Sequence, residues 1–134
     1  MTIERNCKVL FIAFIIAVCS IEAYSLTVTV APLTYVENGK SAGMSESRTW
    51  MGLTSERLNA LNTDATLSFR RALDTSPGVP VSLSDAINWC RDTNTAYVLY
   101  GFIQKTDYMI YAEIKLLDYD KKEVLHTVYS SDTL

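Results

Sequence analysis

The feature that most constrains the fold is the alternation of apolar and polar residues near the end of the chain. Tyr97–Lys105, Tyr108–Leu117 and Glu123–Ser130 are joined by links of hairpin length. Because successive side chains of a strand point to opposite faces, these segments predict three strands with two different faces. The apolar face comprises Leu99, Gly101, Ile103, Ile110, Ala112, Ile114 and Leu116. The aromatic face carries Tyr100, Phe102, Tyr111, Glu113 and Lys115.

The earlier part of the chain adds two strands and a loop. Leu26–Leu33 has β-branched residues at alternate positions and a Pro near its end, which predicts a strand. Val79–Leu83 predicts a second, short strand. Tyr35–Gly52 is rich in Gly and Ser and shows no sustained period, so we expect a long exposed loop. A short turn of helix is compatible with Met44–Trp50.

Two segments have helical spacing. The first begins at Thr54, is stopped by the run Ser76-Pro77-Gly78, and has apolar residues spaced by three and four. These residues are Leu58, Leu61, Ala65, Phe69 and Ala72. Ser84 is expected to cap the second helix, which runs from Asp85 to about Thr93. The predicted order is β-α-β-α-β-β-β, an α/β (α+β-like) domain with a mixed sheet of about five strands and two helices on one face.

An uncharged apolar block near the start of the chain predicts export. Val9–Cys19 is eleven residues long, too short to span a bilayer but typical of the hydrophobic region of a secretory signal. Arg5 and Lys8 precede it, and Ala23 offers a small residue for cleavage. We therefore expect a signal peptide over residues 1–23, a domain over residues 24–134, and a periplasmic or cell-envelope location.

Cys19 leaves two other outcomes open. An apolar run that ends in Cys-Ser resembles the lipobox of bacterial lipoproteins, in which the Cys is acylated, although Val18 is bulky for that motif. An uncleaved N-terminal anchor is the other alternative, and contact with a membrane is expected only through such an anchor or lipid. After removal or acylation of Cys19, Cys90 is the remaining thiol, and its helical spacing with Ala86 and Ile87 favours a small core residue over a reactive one.

Composition and motifs disfavour nucleic acid as a partner and disfavour catalysis. The net charge of −3 and the pI of about 5.1 are wrong for a protein that must neutralise phosphates. His126 is the single histidine, so no metal site built on several histidines is expected. Asp118 and Asp120 fit a polar turn better than a calcium loop, and no glycine-rich phosphate loop is present. We predict no catalytic residue, no cofactor and no metal.

Three segments give the chain a resemblance to a known family. They are the strand ending V-A-P-L (Val30–Leu33), the helix, turn and strand of Ala86–Gly101, and the strand, turn and strand of Ile114–Leu125. This pattern resembles the TolB-like amino-terminal domain family, which is related in fold to curli-pore and penicillin-binding-protein-activator lipoproteins. Members usually continue into a further helix, and Ser-Asp-Thr-Leu at the end of this sequence resembles the start of one. We therefore expect that the domain either lacks its last helix or takes that helix from a partner. The resemblance implies a non-enzymatic envelope module that contacts other proteins or self-assembles.

The aromatic face is the predicted contact surface. Tyrosine is favoured at protein interfaces because its ring is apolar and its hydroxyl polar. Our candidate partner-binding residues are therefore Tyr100, Phe102 and Tyr111, together with Trp50 in the predicted loop. Coverage of the same face by a terminal helix is an equally open alternative. The expected function is a protein-binding or assembly module that contacts envelope proteins or itself, and the alternative is a structural subunit of an envelope pore or ring.

Overall fold

The computed structural model describes residues 26–62 and 67–133. The proposed signal peptide, its cleavage after Ala23 and the lipidation of Cys19 lie outside these residues. The strands are β1 (Leu26–Val30), β2 (Thr34–Glu37), β3 (Lys40–Ser41), β4 (Leu67–Arg71), β5 (Tyr97–Lys105), β6 (Met109–Asp118) and β7 (Glu123–Thr133). The helices are α1 (Met44–Leu61) and α2 (Leu83–Thr93).

The seven strands form one mixed sheet. β1 and β2 both run parallel to β5 and share the same edge of it. β1 pairs with Val98 and Leu99, and β2 pairs with residues 102–105 further along β5. β4 flanks β1 and the short β3 flanks β2, while β6 and β7 continue the sheet on the other side as antiparallel strands. The described residues form seven strands, against the five or so predicted, and these strands occupy five positions across the sheet. The predicted mixed α/β class is confirmed.

The register confirms the two predicted sheet faces. Leu99 pairs with Leu116, Gly101 with Ile114 and Ile103 with Ala112, so the apolar set lies on one side. Tyr100 pairs with Lys115, Phe102 with Glu113 and Gln104 with Tyr111, which places the aromatic set on the other side. The residues of the apolar face that are almost completely buried are Leu99, Ile103, Ile110, Ile114 and Leu116.

The helices lie on opposite faces of the sheet, so their predicted placement on one face is wrong. In α1, Trp50 stacks on Tyr35, which pairs with Ile103 and so belongs to the apolar face. In α2, Trp89 lines a cavity with Thr29, which pairs with Val98 and so belongs to the aromatic face. The reason is topological. The connection through α1 runs outward across the sheet, from β2 to β4, and the connection through α2 runs back, from β4 to β5. Because crossovers between parallel strands are right-handed, opposite directions place the two helices on opposite sides.

The apolar spacing predicted that the first helix begins at Thr54, whereas it begins at Met44. It covers most of the predicted loop and ends at Leu61, and the segment Leu67–Arg71 that shared its spacing is strand β4, paired in parallel with β1. The buried positions of α1 follow helical spacing but include small polar residues. These positions are Ser47, Met51, Thr54, Ser55 and Leu58. Asn59 joins α1 to β4, since its side chain donates to the Phe69 carbonyl (2.6 Å) and accepts from the Phe69 N–H (2.9 Å).

The second helix begins two residues before its predicted start. Its N-cap is Ser82, whose hydroxyl accepts the Asp85 N–H (3.1 Å) while the Asp85 carboxylate accepts the Ser82 N–H (3.4 Å). This capping box makes Ser82, and not the predicted Ser84, the N-cap of α2. The predicted strand Val79–Leu83 is wrong, because these residues form the approach to α2 and its first position.

The last strand also differs from its expected end. Ser131–Thr133 pair with β6 as part of β7 and do not begin a helix. At the other end of the hairpin, Asp118 is buried and its carboxylate accepts the N–H groups of Asp120 (3.0 Å) and Lys121 (3.3 Å). This hydrogen bonding confirms the polar turn. Neither helix of the described residues is long and apolar enough to cross a membrane.

Candidate protein-interaction surface

The aromatic face is covered by α2 at one end and open at the other. The helix α2 has 11 residues and packs against β5, where Val98 and Tyr100 are buried. Beyond α2, the aromatic face continues across β5, β6 and β7 without a helix over it in the described structure. We call this open region the aromatic patch and define it by Phe102, Met109, Tyr111, Glu113, Lys115 and Tyr129.

Contacts within the aromatic patch order its side chains. The rings of Phe102 and Tyr111 have centroids 5.6 Å apart and are tilted by 45°, a favourable geometry for an aromatic pair. The Tyr111 hydroxyl donates to Glu113 Oε2 at 3.5 Å, and Lys115 Nζ lies 3.4 Å from Glu113 Oε1. The patch therefore joins an apolar pair to a hydroxyl, a carboxylate and an ammonium group within a few ångströms.

The charge of Glu113 affects its tyrosine neighbour. Desolvation raises the pKa of Tyr111, and the Glu113 carboxylate raises it further by charge repulsion and by accepting its hydroxyl proton. Tyr111 is therefore a neutral hydrogen-bond donor at physiological pH. The Glu113 side chain is 18% exposed and so remains within reach of a partner.

Tyr100 does not belong to the open surface, although the alternation of side chains along β5 places it on the same face. It is 1% exposed, and its hydroxyl has no hydrogen-bond partner. Burial raises its pKa, with further contributions from Glu113 and Cys90. Its neighbour Lys115 lies with Nζ 5.9 Å from the ring centroid. We therefore correct the prediction that Tyr100 contacts a partner: it is a core residue beneath α2.

Trp50 lies away from the other candidates. It belongs to α1 instead of a loop, and its ring stacks on Tyr35 with centroids 5.8 Å apart and an interplanar angle of 27°. Because α1 covers the apolar face, Trp50 lies on the opposite side of the sheet from Phe102 and Tyr111. The structure therefore brings two of the four predicted contact residues together, Phe102 and Tyr111.

Two members of the aromatic patch were not predicted from the sequence. Tyr129 is the register partner of Glu113 and is 62% exposed, and Met109 starts β6 on the same face as Tyr111. The alternation within Glu123–Ser130 places Tyr129 on one face of its strand. The sequence alone does not say which face of the sheet that is, because the pairing register with β6 decides it.

Other polar groups of the described residues line a cavity or belong to the core. A cavity of about 330 Å³ lies between α2 and the strands β1 and β4. Among its hydroxyls, Thr93 Oγ1 donates to the Trp89 carbonyl and lies 2.7 Å from Thr95 Oγ1, whereas Ser76 Oγ is buried without a hydrogen-bond partner. Cys90 is completely buried, and burial raises its pKa to about 11, so its thiol is a core group, as predicted. Among the described residues, no group of three His, Cys, Asp or Glu side chains could hold a metal ion.

The fold is shared with solved structures of low sequence identity. The LpoB C-terminal domain from Salmonella enterica superposes with a TM-score of 0.65 at 15% identity, covering 98% of both chains. The LpoB C-terminal domain from Escherichia coli gives a TM-score of 0.58 at 16% identity and covers 96% of this chain and 99% of that one. Lipoprotein GNA1162 from Neisseria meningitidis gives 0.50 at 14% identity, with 81% and 82% of the two chains covered. At these identities the similarity establishes the fold.

Sequence comparison adds no family assignment. No protein-family model matches the chain, and no curated protein sequence matches it significantly. The resemblance to the TolB-like amino-terminal family therefore remains a prediction from three segments of the sequence.

Proposed function

We propose that this chain is a non-enzymatic protein of the bacterial cell envelope that recognises other envelope proteins through the aromatic patch. One observation carries the proposal: Phe102, Tyr111 and Tyr129 lie on a sheet face that α2 leaves open in the described structure. Soluble domains seldom leave aromatic side chains together on a sheet face without an interaction that uses them.

The chemistry of the patch fits a protein partner. Tyr and Phe provide large rigid contact areas, and most interface energy resides in a few such residues. Glu113 and Lys115, side by side next to the rings, present a carboxylate and an ammonium group that can each pair with an opposite charge on a partner. Such charged groups contribute mainly to specificity and to the rate of association.

The proposed location rests on the N-terminal sequence and gains support from the fold. Export through Val9–Cys19, with cleavage after Ala23 or lipidation at Cys19, would place residues 24–134 in the periplasm or at the envelope surface. Lipoprotein GNA1162 has the same fold, which supports this location. The exposed groups of the aromatic patch are aromatic rings with one carboxylate and one ammonium group beside them, and a binding role accounts for this combination.

Capture of partners from cells tests the proposed function. A tagged full-length protein is cross-linked in living cells, and attached proteins are identified by mass spectrometry. We expect Tyr111→Ala to reduce the recovered partner roughly tenfold, since truncation of an interface aromatic commonly costs more than 1 kcal/mol. The matched control is Tyr108→Ala, because Tyr108 is 78% exposed in the turn before β6 and lies outside the patch.

One outcome of this experiment would contradict the proposed function. If Tyr111→Ala keeps a cooperative melting transition and captures the same proteins as the unaltered chain, the aromatic patch is not the binding surface. Assembly into a pore or ring would instead give a homo-oligomer of many copies in light scattering, which would favour the structural-subunit alternative.

A further inference from the structure

The cavity between α2 and the strands β1 and β4 lies outside the aromatic patch. Its volume is about 330 Å³. Thr29 and Arg70 are the penultimate residues of these two parallel strands and pair in register, so their side chains are neighbours on the aromatic face. The loop after β4 and the second half of α2 complete the lining.

The topology of the fold favours a ligand at this position. In sheets of parallel strands, ligands bind beyond the carboxyl ends of the strands, where successive helices leave for opposite faces. After β2 the chain passes through α1 over the apolar face, and after β4 it passes through α2 over the aromatic face. These connections diverge from neighbouring positions of the sheet, and the cavity lies beside the carboxyl ends of β1 and β4. Its volume is at the lower end of the range for small-molecule sites, about 300–1,000 Å³.

The lining of the cavity includes one guanidinium group that no described carboxylate neutralises. Arg71 Nη2 lies 3.6 Å from Asp74 Oδ1, and Asp92 Oδ1 lies 3.2 Å from Arg91 Nε, so these charges are paired. Arg70 forms no ion pair with the described residues. A guanidinium group binds a carboxylate through two parallel hydrogen bonds. Because the Asp92 carboxylate also lines the cavity, a ligand with one negative charge fits better than one with two.

Hydroxyl groups make up much of the remaining lining. Ser76 Oγ is buried without a hydrogen-bond partner, and such a group costs free energy until a partner satisfies it. Trp89 fixes the loop that carries Ser76, since its Nε1 donates to the Pro77 carbonyl at 3.2 Å. The other hydroxyl groups of the lining belong to Thr29, Thr75, Thr93 and Thr95. One guanidinium group among several hydroxyls matches an acid that itself carries hydroxyl groups.

We infer that this cavity binds a small carboxylate with a single negative charge and several hydroxyl groups, such as a sugar acid. Arg70 binds its carboxylate, and Ser76 and the threonine hydroxyls bind its hydroxyl groups. The inference rests on the lining of the cavity and does not depend on the proposed function, because the aromatic patch lies on the part of the face that α2 leaves open.

Calorimetric titration of the full-length protein with lactate, gluconate and glucuronate tests the inference. Acetate provides a carboxylate without hydroxyl groups, glucose provides hydroxyl groups without a carboxylate, and inorganic phosphate provides a second negative charge. We expect at least one of the three hydroxy acids to bind at least tenfold more tightly than each of these comparison compounds. The hydroxy acid that binds most tightly is then used with the variants.

Two substitutions separate the roles of the charge and of the hydroxyl. Arg70→Gln should weaken binding of that acid at least tenfold, because it removes a charge-assisted hydrogen-bonding pair. Arg57→Gln is the matched control, since Arg57 is exposed on α1 over the opposite face, and it should leave the affinity unchanged. Ser76→Ala should weaken binding about fivefold without lowering the stability of the free protein, because its hydroxyl has no partner there.

Nuclear magnetic resonance keeps the test decisive if Arg70→Gln impairs folding. In the unaltered protein, the acid should shift the indole N–H signal of Trp89, which lines the cavity, and leave that of Trp50 unchanged on the other side of the sheet. The absence of binding by all three hydroxy acids would overturn the inference. Equal binding of acetate, glucose or phosphate, full affinity in a folded Arg70→Gln variant, or an unshifted Trp89 signal would overturn it as well.

Discussion

At the scale of single residues, burial decides which polar groups face a partner and which are part of the core. Tyr100 and Tyr111 have the same residue type and lie on the same face four residues apart in register, yet only Tyr111 lies in the open patch. The difference is the position of α2, which packs over one end of β5. The alternation of side chains along a strand identifies the face of a residue, whereas the packing of a helix decides whether that face is exposed.

Removal of the Tyr100 hydroxyl should stabilise the protein. Its oxygen is buried without a hydrogen-bond partner, and a buried unsatisfied hydroxyl costs free energy that the unfolded chain does not pay. We expect Tyr100→Phe to raise the free energy of unfolding by about 1 kcal/mol in urea titrations. Tyr111→Phe is the control and should change stability little, since that hydroxyl is not completely buried. A loss of stability in Tyr100→Phe would mean that the hydroxyl is hydrogen-bonded in solution.

Cys90 should make the fold sensitive to alkaline pH. Burial raises the pKa of its thiol to about 11 from an ordinary value of 9.0. Above pH 9 the unfolded chain loses this proton while the folded chain keeps it, so the contribution of the thiol is complete below pH 9 and is lost as pH rises through 11. We expect this loss to reach about 2 kcal/mol. In urea titrations from pH 8 to 11, Cys90→Ala should show a smaller decrease than the unaltered protein; equal decreases would contradict the buried-thiol account.

At the scale of elements, local patterns predicted β1, β5, β6 and β7 well, and the other strands and the first helix poorly. The alternation in Tyr97–Ser130 was sufficient for β5, β6 and β7 and for both faces, because each strand pairs with its neighbour in the chain. The register confirmed Phe102 and Tyr111 as members of one surface. α1 was misplaced because small polar residues, among them Ser47 and Ser55, occupy its buried side. β4 shared helical spacing with α1, and only its non-local pairing with β1 makes it a strand.

Two glycines in different elements should respond to alanine in opposite ways. A Cβ at Gly101 would clash with the Glu113 carbonyl oxygen, so Gly101→Ala forces β5 and β6 apart. We expect a loss of at least about 2 kcal/mol in the free energy of unfolding. A Cβ at Gly52 has only an ordinary contact with Arg71, 3.8 Å away, and alanine favours the interior of α1.

Gly52→Ala should therefore raise the unfolding free energy by roughly 0.5–1 kcal/mol. The two variants are compared by urea titration under the same conditions. Tolerance of alanine at position 101 would contradict the close approach of β5 and β6 that the register describes.

At the scale of the whole molecule, the arrangement of the helices explains why part of the aromatic face is open. Opposite crossing directions place α1 over the apolar face and α2 over the aromatic face. Because α2 is short and packs against β5, the remainder of the aromatic face is left open around Tyr111. A fold with both helices on the apolar face would have exposed Tyr100 as well. The size of the open patch thus follows from topology together with the length of α2.

The central claim is that the aromatic patch binds another envelope protein, and site-specific photo-cross-linking in living cells tests it most directly. A photoreactive phenylalanine analogue replaces Tyr111 in one variant and Leu53 in another; Leu53 is 45% exposed on α1, over the opposite face. The account predicts covalent capture of a distinct envelope protein from position 111 and none from position 53. Equal capture from both positions, or capture from position 53 alone, would contradict it.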